Sequence, residues 1–137
     1  MYPEDLVLPM RQELVVAGLN EARTAEDVQK NIDSSGTAFV VINSVCGCAA
    51  ANARPAVRMA LNSSNKKPDR MITSFAGNDV EAVNKAREMM APFPPSSPSM
   101  ALFKDGQLVH MIERHHIEGR PAEMIAQNLQ QAFEEYC

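Results

Sequence analysis

Apolar and polar positions switch between two periods along the chain. Leu6, Met10, Leu14 and Ala17 recur at near-helical spacing, with Pro9 expected to confine a regular helix largely to the stretch after Leu8. Thr24 stands where an N-cap belongs, ahead of Val28 and Ile32 on one face of a short helix ending near Asp33. Residues 37–43 are different in kind: a nearly continuous apolar run rich in β-branched side chains, as a central strand covered on both faces requires. Ala49, Ala50, Ala53, Val57 and Leu61 return to helical spacing, and Pro55, which has no N–H to donate, is expected to kink that helix. Residues 69–75 read as a second strand, and Asn78 with Glu81 as the capping pair of a helix through Met90.

The proline-rich segment from Pro92 to Pro98 can form neither a helix nor a central strand, so it is expected as a stiff loop delivering the chain to Ser99. Two further apolar runs flank Asp105-Gly106, a strong hairpin signal. A last helix opens near Pro121 and buries Ile125, Leu129, Ala132, Phe133 and Tyr136. Two strands joined by helical crossovers, an antiparallel hairpin and a closing helix predict an α/β sandwich. Its mixed sheet has about four strands, helices cover both faces, and an extra helix stands at the N-terminus. With no repeat or linker in view, residues 1–137 are expected to form a single domain.

Composition narrows what such a domain does. Hydrophobic residues make up 45% of the chain and charged residues 22%, the makeup of a packed domain rather than a disordered segment. A net charge of -4 argues against a nucleic-acid partner recognised through a basic surface. No apolar run approaches the roughly 20 residues of a membrane helix, and the N-terminus is acidic where a secretory signal is basic, so a cytoplasmic location without membrane attachment is expected. In that reducing compartment structural disulfides are rare, and two close cysteines are more often catalytic or metal-binding. Cys46 and Cys48 are such a pair.

Cys46-Gly47-Cys48 falls at the C-terminal end of the first strand, where open α/β sheets place their working sites. Bridging residues two apart requires a turn, and Gly47 supplies the backbone freedom for one. The ring is one residue shorter than in Cys-x-x-Cys, which predicts more strain and a less reducing couple. The thiolate is the reactive form, and a helix N-terminus stabilises it. Arg54, Arg58, Lys66 and Lys67 give the stretch between Asp33 and Asp69 a positive balance that favours the thiolate wherever those side chains face the site. Cys46, leaving the strand end, is expected to be the more exposed and attacking thiol, with Cys48 resolving.

Several segments carry a resemblance. Pro98 to Gly106 resembles the stretch of thioredoxin that starts at its cis-proline and runs through a strand into a turn. More specifically, the chain is similar to the bacilliredoxin family in residues 43–50, Ala53-Arg54-Pro55, Phe75-Ala76-Gly77, residues 95–101, Arg114-His115 and Ile117-Glu118-Gly119, and near both ends in Pro9-Met10-Arg11 and Cys137. The resemblance implies a thioredoxin-like three-layer sandwich lacking thioredoxin's first strand. It also implies a substrate class: proteins in mixed disulfide with the low-molecular-weight thiol bacillithiol, which Cys46 takes up and Cys48 displaces. No cofactor is implied beyond bacillithiol as co-substrate; the implied partners are bacillithiolated proteins and a reducing thiol system, and weak disulfide isomerase activity accompanies the same chemistry. By the same analogy Pro98 is the cis-proline beside the cysteines, and the backbone of Ser97 pairs with an extended substrate.

Metal binding is the rival class, since Cys-x-Cys also ligates zinc or copper. A structural zinc site takes about four ligands, and the other candidates, Cys137, His110, His115 and His116, show no paired spacing that converges on Cys46. No metal is expected. His115 and His116 are expected as strand-end or loop residues bonded locally, and Cys137 as a mobile terminal residue. A non-catalytic adaptor using the same surface is a third class, distinguished by unreactive thiols.

Overall fold

The computed structural model describes residues 1–137. From the N-terminus the chain forms α1 (Glu4–Ala17), β1 (Asn20–Glu21), α2 (Ala25–Ile32), β2 (Thr37–Asn43), α3 (Gly47–Ser63), β3 (Arg70–Phe75), α4 (Val80–Met89), β4 (Ser99–Lys104), β5 (Gln107–Ile112), α5 (Arg114–Ile117) and α6 (Ala122–Tyr136). The strands make one mixed sheet in the order β1-β3-β2-β4-β5. β3 runs parallel to β1 and β2, while β4 is antiparallel to both β2 and β5. All seven residues of β2 are buried, as its unbroken apolar run requires of a strand paired and covered on every side.

Alternate residues of the central strands feed two cores. Phe39 and Val41 of β2, with Met100 and Leu102 of β4, pack against Leu14, Val57 and Phe133 of α1, α3 and α6. The rings of Phe39 and Phe133 meet edge to face at 5.2 Å, a favoured aromatic arrangement. Val40, Ile42, Ala101 and Phe103 point the other way, against Val28 and Ile32 of α2 and Val83 and Ala86 of α4. Helices thus cover both faces, giving the expected three layers.

Local expectations are corrected in five places. The sheet has five strands rather than about four: β1 is two exposed polar residues held by parallel pairing to Ile72 and Thr73, too short and too polar to show a period. α1 begins five residues before Pro9 and runs through it, because Val7, Arg11 and Leu14 are buried on one face and Gly18, at φ 113°, closes the helix with a bond from the Leu19 N–H to the Leu14 carbonyl. α3 likewise continues through Pro55 as one helix, held by seven buried residues along its length. The residue at the start of α4 is Asp79 rather than Asn78, and Glu81 instead accepts the Ala25 N–H at the start of α2. Finally, α5 is a helical turn where a strand end or loop was expected; the Nδ1 of His116 accepts the Glu113 N–H at 3.1 Å.

Candidate active site

The C-terminal end of β2 is locked before it reaches the first cysteine. Buried Asn43 donates to the Met10 carbonyl (3.0 Å) and accepts from the Ser44 N–H (2.9 Å), tying the strand end to α1. Arg54, one face along α3, donates to the Ser44 carbonyl (2.8 Å), to Asn43 Oδ1 (3.2 Å) and to Glu13 (2.8 Å). The chain then turns sharply. Cys46 has φ -69° and ψ 86°, and the Gly47 N–H bonds to the Val45 carbonyl at 2.8 Å, the signature of an inverse γ-turn centred on Cys46. Gly47 follows at φ 53°, a left-handed conformation in which glycine pays no Cβ penalty. α3 starts there, with Cys46 as its N-cap and Ala50 donating the first helical bond to the Cys46 carbonyl (3.2 Å).

Two groups act on the Cys46 sulfur. The Ser44 hydroxyl accepts the Cys46 N–H at 3.1 Å, which leaves its own hydrogen to donate to the thiol sulfur. The Arg114 guanidinium stands near the sulfur and adds its charge. Together, Ser44 first and Arg114 second, they hold the Cys46 thiol below the ordinary thiol range against the opposing effect of burial.

Arg114 also reaches the proline loop. Its Nη1 donates to the Ser97 carbonyl at 3.0 Å, its backbone N–H to Ser96 Oγ at 3.3 Å, and its Nε to Glu118. The Ser97–Pro98 peptide is cis. Ser99 pairs with Ile42 in the sheet, so Pro98 stands at the same end of the sheet as Cys46. Cys46, Ser97 and Pro98 are therefore brought together, with Arg114 between them.

Two sequence expectations are reversed. Cys46 is half-buried and Cys48 exposed, the opposite of the expected order, because the γ-turn tucks Cys46 beneath Ser44 and Arg114 while Cys48 lies on the outer face of the first helical turn. What distinguishes Cys46 is its electrostatic setting rather than its access. The cation at that thiol comes from Arg114, after β5, and not from the basic stretch following the cysteines. Arg54 is spent on Glu13 and the strand end, Arg58 lies three turns along α3, and Lys66 faces Cys137 at the far pole.

Cys137 bonds to Phe133 as the end of α6, and its thiol meets the Thr37 side chain, where burial pushes it up. Thr37 opens β2 and Cys46 lies beyond its close, so the seven-residue strand separates them by about 20 Å. His110 pairs with Asn128 at 2.7 Å. The one cluster of three close ligating side chains is Glu113, His115 and His116, whose ligating atoms lie within 4.8 Å of one another, and neither cysteine belongs to it. A neutral imidazole has one lone-pair nitrogen. His116 uses Nδ1 to accept the Glu113 N–H, so its Nε2 carries hydrogen and is not a free ligand atom. Nor does any of the four surface cavities reach Cys46 or Cys48. Gly47 and Cys48 are exposed and Cys46 half-buried, an access that suits a disulfide presented by another macromolecule.

Comparisons with known proteins agree with this geometry. Residues 2–137 match the family described as disulphide isomerase. The bacilliredoxin of Cytophaga hutchinsonii is 58% identical over 135 residues, covering 98% of this chain and 99% of that one. The bacilliredoxin of Bacillus licheniformis is 54% identical over 137 residues, covering 99% and 95%. Among solved structures, oxidised mitochondrial thioredoxin 3 from Saccharomyces cerevisiae superposes with a TM-score of 0.58 at 14% identity, over 85% of this chain and 94% of that one. That last likeness establishes the thioredoxin-like fold. With a low-lying thiol at a helix start beside a cis-proline, and relatives so similar over nearly their whole length, this chain belongs to the bacilliredoxin family of thiol–disulfide oxidoreductases.

Proposed function

We propose that the protein removes bacillithiol from proteins carrying it in mixed disulfide, in the cytoplasm, with bacillithiol as its only small co-substrate. The observation that carries this reading is the half-buried Cys46 thiol at the start of α3, held below the ordinary thiol range by Ser44 and Arg114. The names of the relatives support the choice of thiol. Cys46 thiolate attacks the bacillithiol sulfur of the mixed disulfide; the new bond joins Cys46 to bacillithiol, and the substrate protein leaves as thiolate and takes a proton. Cys48 then attacks the Cys46 sulfur, forming the Cys46–Cys48 disulfide and expelling bacillithiol. Two electrons have passed from the cysteine pair to the substrate, and a reducing thiol partner must return them. Gly47 allows the turn that lets the two sulfurs approach. Ser97 and Pro98 border the path of the substrate.

The matched family's description favours a second use of the same chemistry, disulfide isomerisation, in which Cys48 stays idle and Cys46 hands the mixed disulfide to another substrate thiol. One experiment addresses both. After incubation with a bacillithiolated protein, mass spectrometry of Cys48→Ala is expected to show one bacillithiol held on Cys46, while Cys46→Ala leaves the substrate untouched. An adduct found only on Cys48 reverses the two roles, and no adduct on either variant defeats the assignment.

A further inference from the structure

We propose that Arg114 selects the substrate as well as holding the nucleophile: one guanidinium faces the Cys46 sulfur and also occupies the Ser97 carbonyl, the main-chain acceptor an extended polypeptide would need. This deepens the proposed function and rests on it for the identity of the favoured substrate. The residue is placed by the sheet. Lys104 pairs with Gln107 and Phe103 with Leu108, but from Leu102 on the register is shifted by one, Leu102 pairing with His110 and Met100 with Ile112. The extra residue in β5 is a bulge. Continued past the strand ends, the shifted register sets Arg114 across from Pro98; the unshifted one would have set Glu113 there. The bonds from Arg114 to Ser96 and Ser97 match the shifted register.

The side chain is held by two bonds and the backbone by a third: Glu118 takes Nε, the Ser97 carbonyl takes Nη1, and Ser96 takes the backbone N–H. A planar fork held this way keeps its remaining donors aimed, which a lysine ammonium cannot reproduce. An incoming strand that paired with the Ser97 carbonyl would have to displace a charge-assisted bond. A small thiol adduct attacked at its outer sulfur makes no such demand. Arg114 therefore favours adducts of small thiols over disulfides embedded in extended chain, and assists the thiolate that attacks them.

The test uses the full chain with Arg114→Gln and Arg114→Lys, both checked for an unchanged unfolding midpoint in urea. Iodoacetamide labelling of Cys46 across pH reads the thiolate without any substrate. For Arg114→Gln, labelling near pH 7 is expected to slow about three- to tenfold and its midpoint to move to higher pH, with Arg114→Lys between it and the parent. Turnover of a bacillithiolated protein and of a peptide with an internal disulfide is then compared above both midpoints, where Cys46 is ionised in every variant. There both Arg114→Gln and Arg114→Lys are expected to shift the ratio toward the peptide. An unmoved labelling midpoint overturns the thiolate role, and an unmoved ratio overturns the selecting role. Absence of turnover on the bacillithiolated protein by the parent chain, with the labelling shift intact, overturns the proposed function instead.

Discussion

At Cys46 the decisive neighbour is a single hydroxyl. Ser44 is buried and accepts the Cys46 N–H, which leaves its only hydrogen free for the sulfur and makes it the largest influence lowering that thiol. Ser44→Ala is expected to raise the midpoint of iodoacetamide labelling at Cys46 and to slow labelling near pH 7 about three- to tenfold. A stability signature follows from the same bond. The folded thiol ionises more readily than the unfolded one, so its contribution is fully present above the unfolded thiol's range and is lost as pH falls through the folded value. Ser44→Ala should flatten that rise in the pH profile of urea unfolding, and an unaltered profile would show that Ser44 acts only on the backbone. The serine could be noted in the sequence as a hydroxyl two residues before the cysteine. Its direction could not, because that depends on the γ-turn closed by Gly47.

At the scale of elements, the buried link is Arg11 of α1 with Asp79 at the start of α4, bonded through both carboxylate oxygens at 2.8 and 2.9 Å. Asp79 also accepts the Phe75 N–H at the end of β3, and Arg11 reaches Glu4 and Glu21 besides. These bonds hold the guanidinium firmly protonated. Asp79→Ala leaves the buried arginine with its weaker partners and is expected to cost about 3 kcal/mol, read as a lowered urea midpoint. A change under 1 kcal/mol would mean that Glu4 and Glu21 suffice. Helices α2, α3 and α6 announce themselves by period and the central strand β2 by its apolar run, because burial of one face or of both is a local constraint on residue type. The pairing of Asn20 with Ile72, the Arg11–Asp79 bond and the one-residue bulge in β5 are not legible that way: each depends on what two distant segments do together. The bulge matters most, since it decides whether arginine or glutamate comes across from Pro98.

For the whole molecule, the chemistry is confined to one pole. Cys137 and Thr37 mark the other, with the length of β2 between. Disulfide geometry allows Cα separations of up to about 7 Å, so oxidation with diamide is expected to join Cys46 to Cys48 and never either to Cys137 within one chain. Peptide mapping without reductant checks this, and a Cys46–Cys137 peptide from monomeric protein would contradict the arrangement of the sheet. The same polarity explains why the cysteine motif is legible in the sequence as lying at a strand end, whereas the charge that tunes it comes from a segment distant in the chain. Nearness in sequence put Arg58 and Lys66 on the list; the sheet put Arg114 there.

The placement of Arg114 also separates two kinds of opening. Cys46 hangs from β2, whose amides are bonded on both edges and whose side chains are all buried, so hydrogen exchange there reports only global unfolding. Arg114 belongs to the segment from Glu113 to Pro121, which buries Glu113 and Ile117, bonds to Ser96 and Ser97 through Arg114, and reaches the neighbouring α3 through the Asn52 bond to the Arg120 carbonyl. Only two of its nine residues are buried, so amide exchange there is expected to report local opening at a lower free energy than in β2. A brief excursion of nine residues would then leave the core, the strand and the nucleophile in register while withdrawing the guanidinium, making reactivity a quantity that fluctuates on its own clock, uncoupled from the stability of the fold.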